Sequence, residues 1–98
     1  MTTAAEIIAA VAEEAGIAPA LLSEPGLNRH IAWQRQLAYL LISEHTNLST
    51  TVIGRIMHRD HTTVVDGRRA ARERLSLPAY RALHDRIVAR LAALEAAE

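Results

Sequence analysis

Between Ser49 and Leu75 the chain spells out two helices with almost nothing left over to join them, and this limits its fold more than any other feature. Ser49 has the side chain of an N-cap, and the short helix it opens, Thr50 to about Met57, turns Val52, Ile53 and Ile56 inward. His58-Arg59 must then make a tight turn, because Asp60 is the cap of a further helix reaching about Leu75. Helices joined by so short a turn cross steeply. On a helical wheel from Asp60, Val64, Gly67, Ala71 and Leu75 share one small, apolar face suited to close packing on the preceding helix. His61, Thr62, Val65, Arg69 and Arg72 share the opposite face.

The rest of the chain keeps helical spacing and shows no strand pattern. Thr3-Ala4-Ala5-Glu6 has the form of a capping box, Ile7, Ile8, Val11 and Ala15 follow at helical spacing, and Gly16 is a left-handed stop. Pro19 opens a single turn through Leu22, and Glu24-Pro25-Gly26 is a turn or loop. Asn28 caps a long helix to about His45, with Ile31, Ala38, Leu41 and Ile42 as its buried stripe. Pro78 suits the first turn of a last helix whose stripe is Leu83, Ile87, Leu91 and Leu94. The expectation is an all-α fold, a small bundle of about five helices containing a helix-turn-helix, in one domain over residues 1–98.

Composition narrows the chemistry. There is no cysteine, so disulfides and thiolate catalysis are excluded. No apolar run is long enough to cross a bilayer, and Met1-Thr2-Thr3-Ala4 lacks the basic start of a secretory signal, which points to the cytoplasm and away from a membrane. Every basic residue other than histidine is Arg; with no lysine, a phosphate-binding G-x-x-x-x-G-K-[ST] loop is impossible, and neither nucleotide nor other cofactor is implied. The formal charge of zero hides a segregation. Residues 1–28 hold four Glu and no Arg, a net of −4, whereas residues 29–74 hold eight Arg against four acids, a net of +4. An acidic head beside a basic middle is the asymmetry of a chain that meets polyanions with one face.

Three functional readings compete on these residues. His58-Arg59-Asp60-His61 has the form of an H-x-x-H metal pair, but no third ligand stands at a recognisable spacing; His30, His45 and His84 read as surface or partly buried side chains. No catalytic constellation is visible, and no enzyme is expected. A nucleic-acid reading uses the helix after Asp60: an Asp can accept from cytosine N4, Thr or His can meet a base edge, and the helix N-terminus favours phosphate. The plain alternative makes Asp60 an N-cap only and the arginines a solvated face. A protein-interaction module that kept such a fold without DNA affinity would explain the acidic first helix and the neutral total charge.

A resemblance adds to these readings. Ile53-Gly54 leading into Arg59-Asp60-His61-Thr62-Thr63-Val64 resembles the signature of the C-terminal DNA-binding domain (domain IV) of the bacterial initiator DnaA. Arg35-Gln36-Leu37-Ala38 and Thr46-Asn47-Leu48-Ser49 are similar to two further segments of that family, so the likeness runs from about Ile7 to Arg72. It implies that Asp60, His61 and Thr62 read bases in the major groove and that Thr63 contacts backbone, while Arg35 and Gln36 grip phosphates. Arg59, Arg69 and Arg72 complete the basic face, and Arg29 is what remains of a loop that enters the minor groove in the family. The implied partner is double-stranded DNA at a site like the initiator's box, bound by a monomer, in a transcriptional or replicative role. The chain departs from the family in three places. Met57-His58 stands where a glycine pair usually precedes the Arg, the loop Glu24-Pro25-Gly26-Leu27-Asn28 is not basic, and Gln34 replaces a frequent Pro.

Overall fold

The computed structural model describes residues 2–26 and 28–98. Its spine is a helix over Arg29–His45, here α2, in which the six consecutive residues Leu37 to Ile42 are all buried. A stripe was expected. The helix is instead covered from more than one side, as a helix apolar around its circumference must be. Asn28 caps it by accepting from the Ile31 amide at 3.2 Å.

Two elements precede this spine. Helix α1, Ala4–Ala15, opens with the expected capping box: the Glu6 amide donates to Thr3 Oγ1 and the Thr3 amide to Glu6 Oε1. It ends at Gly16, whose φ of 72° lets its amide and that of Ile17 return to the last carbonyls. A single 3-10 turn follows at Pro19–Leu22 and buries Leu22 fully.

After the spine come α3 (Thr50–Ile56), α4 (His61–Arg74) and α5 (Pro78–Ala96). Ile53 of α3 and Met57, the residue that caps its end, are both fully buried, whereas Ile56 is exposed, contrary to expectation. The helix closes at Ile56, and the Met57 amide bonds back to the Ile53 carbonyl at 3.0 Å, so the seam runs i, i+4 into the terminal turn. Val52 is half-buried.

Helix α5 lies on α1, and its buried residues are Tyr80, Leu83, Ile87 and Leu91. The stripe stops one turn early: Leu94 stays exposed over Ala9 and Ala10, which are too short to cover it. The acidic flank of α1 is answered here, since Arg90 pairs with Glu13 at 2.7 Å and also with Glu14, and Arg86 pairs with Glu14 at 3.3 Å. At the other end of α5 the Tyr80 hydroxyl donates to the Trp33 carbonyl at 2.6 Å, and the Arg74 guanidinium lies 4.3 Å from the Trp33 ring centre. That stack fastens the ends of α4 and α5 to α2.

Candidate nucleic-acid interface

The turn between α3 and α4 is built by three specific residues. Ser49 caps α3 by accepting from the Val52 amide at 3.2 Å. Past Met57, His58 takes a left-handed φ of 58°, the position where the sequence lacks glycine. Histidine is among the side chains that enter this region most readily, at a cost of about 1 kcal/mol. The Arg59 amide then bonds back to the Gly54 carbonyl at 2.7 Å. Only glycine fits there, because a Cβ at Gly54 would stand 2.3 Å from the Arg59 carbonyl oxygen.

Asp60 caps α4 as expected, its Oδ1 accepting from the Thr63 amide at 2.8 Å. The Thr63 backbone bond, followed by the Thr63 hydroxyl, holds the Asp60 carboxyl below its usual range. The cap therefore stays ionised beside the partial positive charge of the helix N-terminus.

The two faces of α4 separate as the spacing requires. Val64, Gly67 and Ala71 are buried, Leu75 is half-buried, and His61, Thr62, Thr63, Arg69 and Arg72 are exposed. Val65 is half-buried at the edge of the open face. The small face packs on α2 as well as on α3. A Cβ at Gly67 would meet the Tyr39 ring at 2.6 Å, so the glycine sets how closely the two helices approach.

The arginines fall into two groups. Arg29, Arg69 and Arg72 are exposed; Arg69 leans on Asp66 at 3.1 Å, and neither Arg29 nor Arg72 has an ion-pair partner among the described residues. Arg35, expected to grip phosphate, is buried instead. Its Nε donates to the Leu22 carbonyl at 2.8 Å, and its Nη2 to those of Glu24 at 3.0 Å and Leu21 at 3.4 Å. The reason is local: the end of the 3-10 helix and the turn after it leave carbonyls that no backbone amide among the described residues reaches. Burial, and then the neighbouring Arg59, lower the pKa of Arg35. Arg59 is half-buried and shares the work, donating Nη2 to Glu24 O at 2.8 Å and Nη1 to His58 O at 3.0 Å. The turn at residues 23–24 is thus clamped from α2 and from the start of α4.

Gln36 sits on the open side of α2, its Oε1 accepting from Arg74 at 2.8 Å. Together with Arg59, Thr63 and Tyr39 it borders a cleft of about 380 Å³ between α2 and α4. Tyr39 and Arg74 were not anticipated at the site. Tyr39 stands in an aliphatic run, and its one legible signal is the hydroxyl, which needs a partner when buried. His58 and His61 gather no further ligands, and no group of three or more His, Asp or Glu among the described residues could hold a metal ion. No helix among those residues is long and apolar enough to cross a membrane.

A short helix, a turn held by a glycine and a left-handed residue, and a capped second helix with an open polar face define a helix-turn-helix domain. A model of the bacterial DnaA protein helix-turn-helix matches residues 4–70, more than half of the chain, and the chain belongs to that family, whose domains bind double-stranded DNA. The match ends within α4, so Ala71 to Arg74 and all of α5 lie beyond it.

Proposed function

We propose that this chain recognises a specific duplex sequence related to the initiator's box, bound as a monomer with α4 in the major groove. The observation that carries the reading is the open face of α4, where His61 and Thr62 stand exposed in the first turn with Asp60 capping it, and Arg69 and Arg72 follow about two and three turns later. Side chains in the first turn meet base edges, and arginines further along meet phosphate. Thr63 and Gln36 border the cleft beside that face and take backbone, while Arg29, at the first turn of α2, is the residue for the neighbouring minor groove.

The same geometry weakens the interaction-module reading. Its support was the acidic first helix, and two of that helix's three glutamates are paired with α5 arginines rather than presented to a partner. With neither a phosphate loop nor lysine in its sequence, the chain acts by occupying DNA rather than by hydrolysing a nucleotide, which suits regulation of transcription or of replication initiation. Fluorescence anisotropy against box and scrambled duplexes tests the proposal. Tighter binding to the box by tenfold or more is the expected result, and equal affinities would refute sequence-specific recognition.

A further inference from the structure

Tyr39 presents a problem in physical chemistry. Its side chain is 1% exposed, and its hydroxyl has no hydrogen-bond partner among the described residues. A buried hydroxyl left unpaired costs a folded protein about 1–3 kcal/mol, so such a group calls for an explanation. Phenylalanine would fill the same volume without that cost.

The surroundings indicate what the hydroxyl serves. The Tyr39 ring lies against Gly67 of α4, and the charges that act on its hydroxyl are those of Arg59 and Asp60, at the N-terminal end of α4, and of Arg35 on α2. Tyr39 is among the residues that line the α2–α4 cleft, with its hydroxyl buried beneath the cleft surface. Burial, outweighing the two arginines, raises its pKa, so at neutral pH it is a neutral O–H donor.

This cleft is also positively charged. Neither Arg35 nor Arg59 has a carboxylate within ion-pairing distance among the described residues; both are spent on backbone carbonyls. Arg59 keeps its Nε, and Gln36 its amide nitrogen, without a hydrogen-bond partner among the described residues. The acid on the rim, Asp66, is already paired with Arg69. Uncommitted donors, unneutralised guanidinium groups and a helix N-terminus around one orphaned hydroxyl make a site for a tetrahedral oxyanion.

We propose that Tyr39 is a DNA-binding residue: the Gln36 amide and the Arg59 guanidinium swing onto a backbone phosphate seated in the α2–α4 cleft and so uncover the Tyr39 hydroxyl, which donates to the same phosphate. This rests on the duplex-binding reading and extends it to a residue inside the fold. The hydroxyl is unsatisfied in the free protein and satisfied on DNA, so the protein carries a small instability that binding relieves.

Tyr39→Phe separates this from a packing role, because it removes one oxygen and leaves the ring. The free variant should melt about 5 °C higher than the wild type, as follows from removing an unpaired buried group in a domain of this size. Its affinity should fall about tenfold, equally on box and scrambled duplexes, since a phosphate carries no sequence. A scan of single methylphosphonate substitutions along the duplex should then find one position that weakens the wild type and leaves Tyr39→Phe unaffected. Unchanged affinity would overturn the proposal, as would a loss confined to the box or a lower melting temperature in the free variant. The wild-type titration in the same series keeps the two readings apart. If the wild type binds and the variant binds equally well, only the role of Tyr39 fails; if the wild type binds no duplex, the functional reading fails with it.

Discussion

Gly54→Ala tests the turn on which the recognition helix depends. In most helices this exchange stabilises by about 1 kcal/mol, because alanine has less backbone freedom to lose. Here the new Cβ would stand 2.3 Å from the Arg59 carbonyl oxygen and 3.3 Å from the carbonyl carbons of Arg59 and Asp60. Ordinary contact begins at 3.4 Å, so the turn must retreat by about 1 Å. It cannot do so freely, because the Arg59 amide is bonded to the Gly54 carbonyl at 2.7 Å and the Arg59 side chain is fixed to the Glu24 carbonyl. Overpacking of this kind costs about 1–3 kcal/mol, and a distorted hydrogen bond adds about 1. Set against the gain in helix propensity, the net is a destabilisation of about 2 kcal/mol, or a fall in melting temperature of about 10 °C. Thermal unfolding followed by circular dichroism measures it. A variant that melts higher than the wild type would show that the close approach of Gly54 to Arg59 is wrong.

Three further outcomes follow from the placement of charge. Arg35→Ala should lower thermal stability strongly and Arg35→Lys should not restore it, since one ammonium cannot serve carbonyls at Leu22, Glu24 and Leu21 together; a variant that melts normally but binds DNA weakly would return Arg35 to phosphate contact. With Arg35 committed inward, the exposed Arg29, Arg69 and Arg72 and the cleft-lining Arg59 remain as phosphate partners, so log K against log salt should have a slope of about −4, reduced by about one in Arg29→Ala; an unchanged slope in that variant would show that Arg29 does not reach DNA. The folded-state pKa of Asp60 lies below its unfolded value of about 3.9, so its contribution to stability is present above that value and is lost as pH falls through the folded pKa. Asn caps a helix nearly as well as Asp, so the wild type should melt higher than Asp60→Asn at neutral pH and lose the advantage in acid; a gap independent of pH would remove the charge from the explanation.

Much of this architecture was legible because it is local. The caps at Thr3, Asn28, Ser49 and Asp60, the stop at Gly16 and the two faces of α4 each depend on residues within a turn or two of one another. What escaped depends on partners far along the chain. Arg35 reads as a surface cation by residue type, yet the carbonyls that draw it inward lie 11 to 14 residues earlier, at the end of the 3-10 helix and in the turn that follows it. The acidic flank of α1 reads as a free charged face until Arg86 and Arg90, more than 70 positions later, pack against it. Ile56 and Met57 exchange roles because a helix terminus changes rotation by a fraction of a turn, which spacing alone does not resolve. Tyr39 was hidden by its neighbours: in the run Leu37 to Ile42 it reads as one more core side chain, and its hydroxyl matters only once α4 is laid across it.

If the open face of α4 is where this chain meets DNA, binding must perturb that face first. Backbone amide chemical shifts, recorded by NMR while a box duplex is titrated in, test that claim residue by residue. The largest changes should fall from Asp60 to Arg72 and at Arg29 and Gln36, with the α1–α5 seam around Glu14 and Arg90 undisturbed. Large changes along that seam, with α4 unmoved, would contradict it.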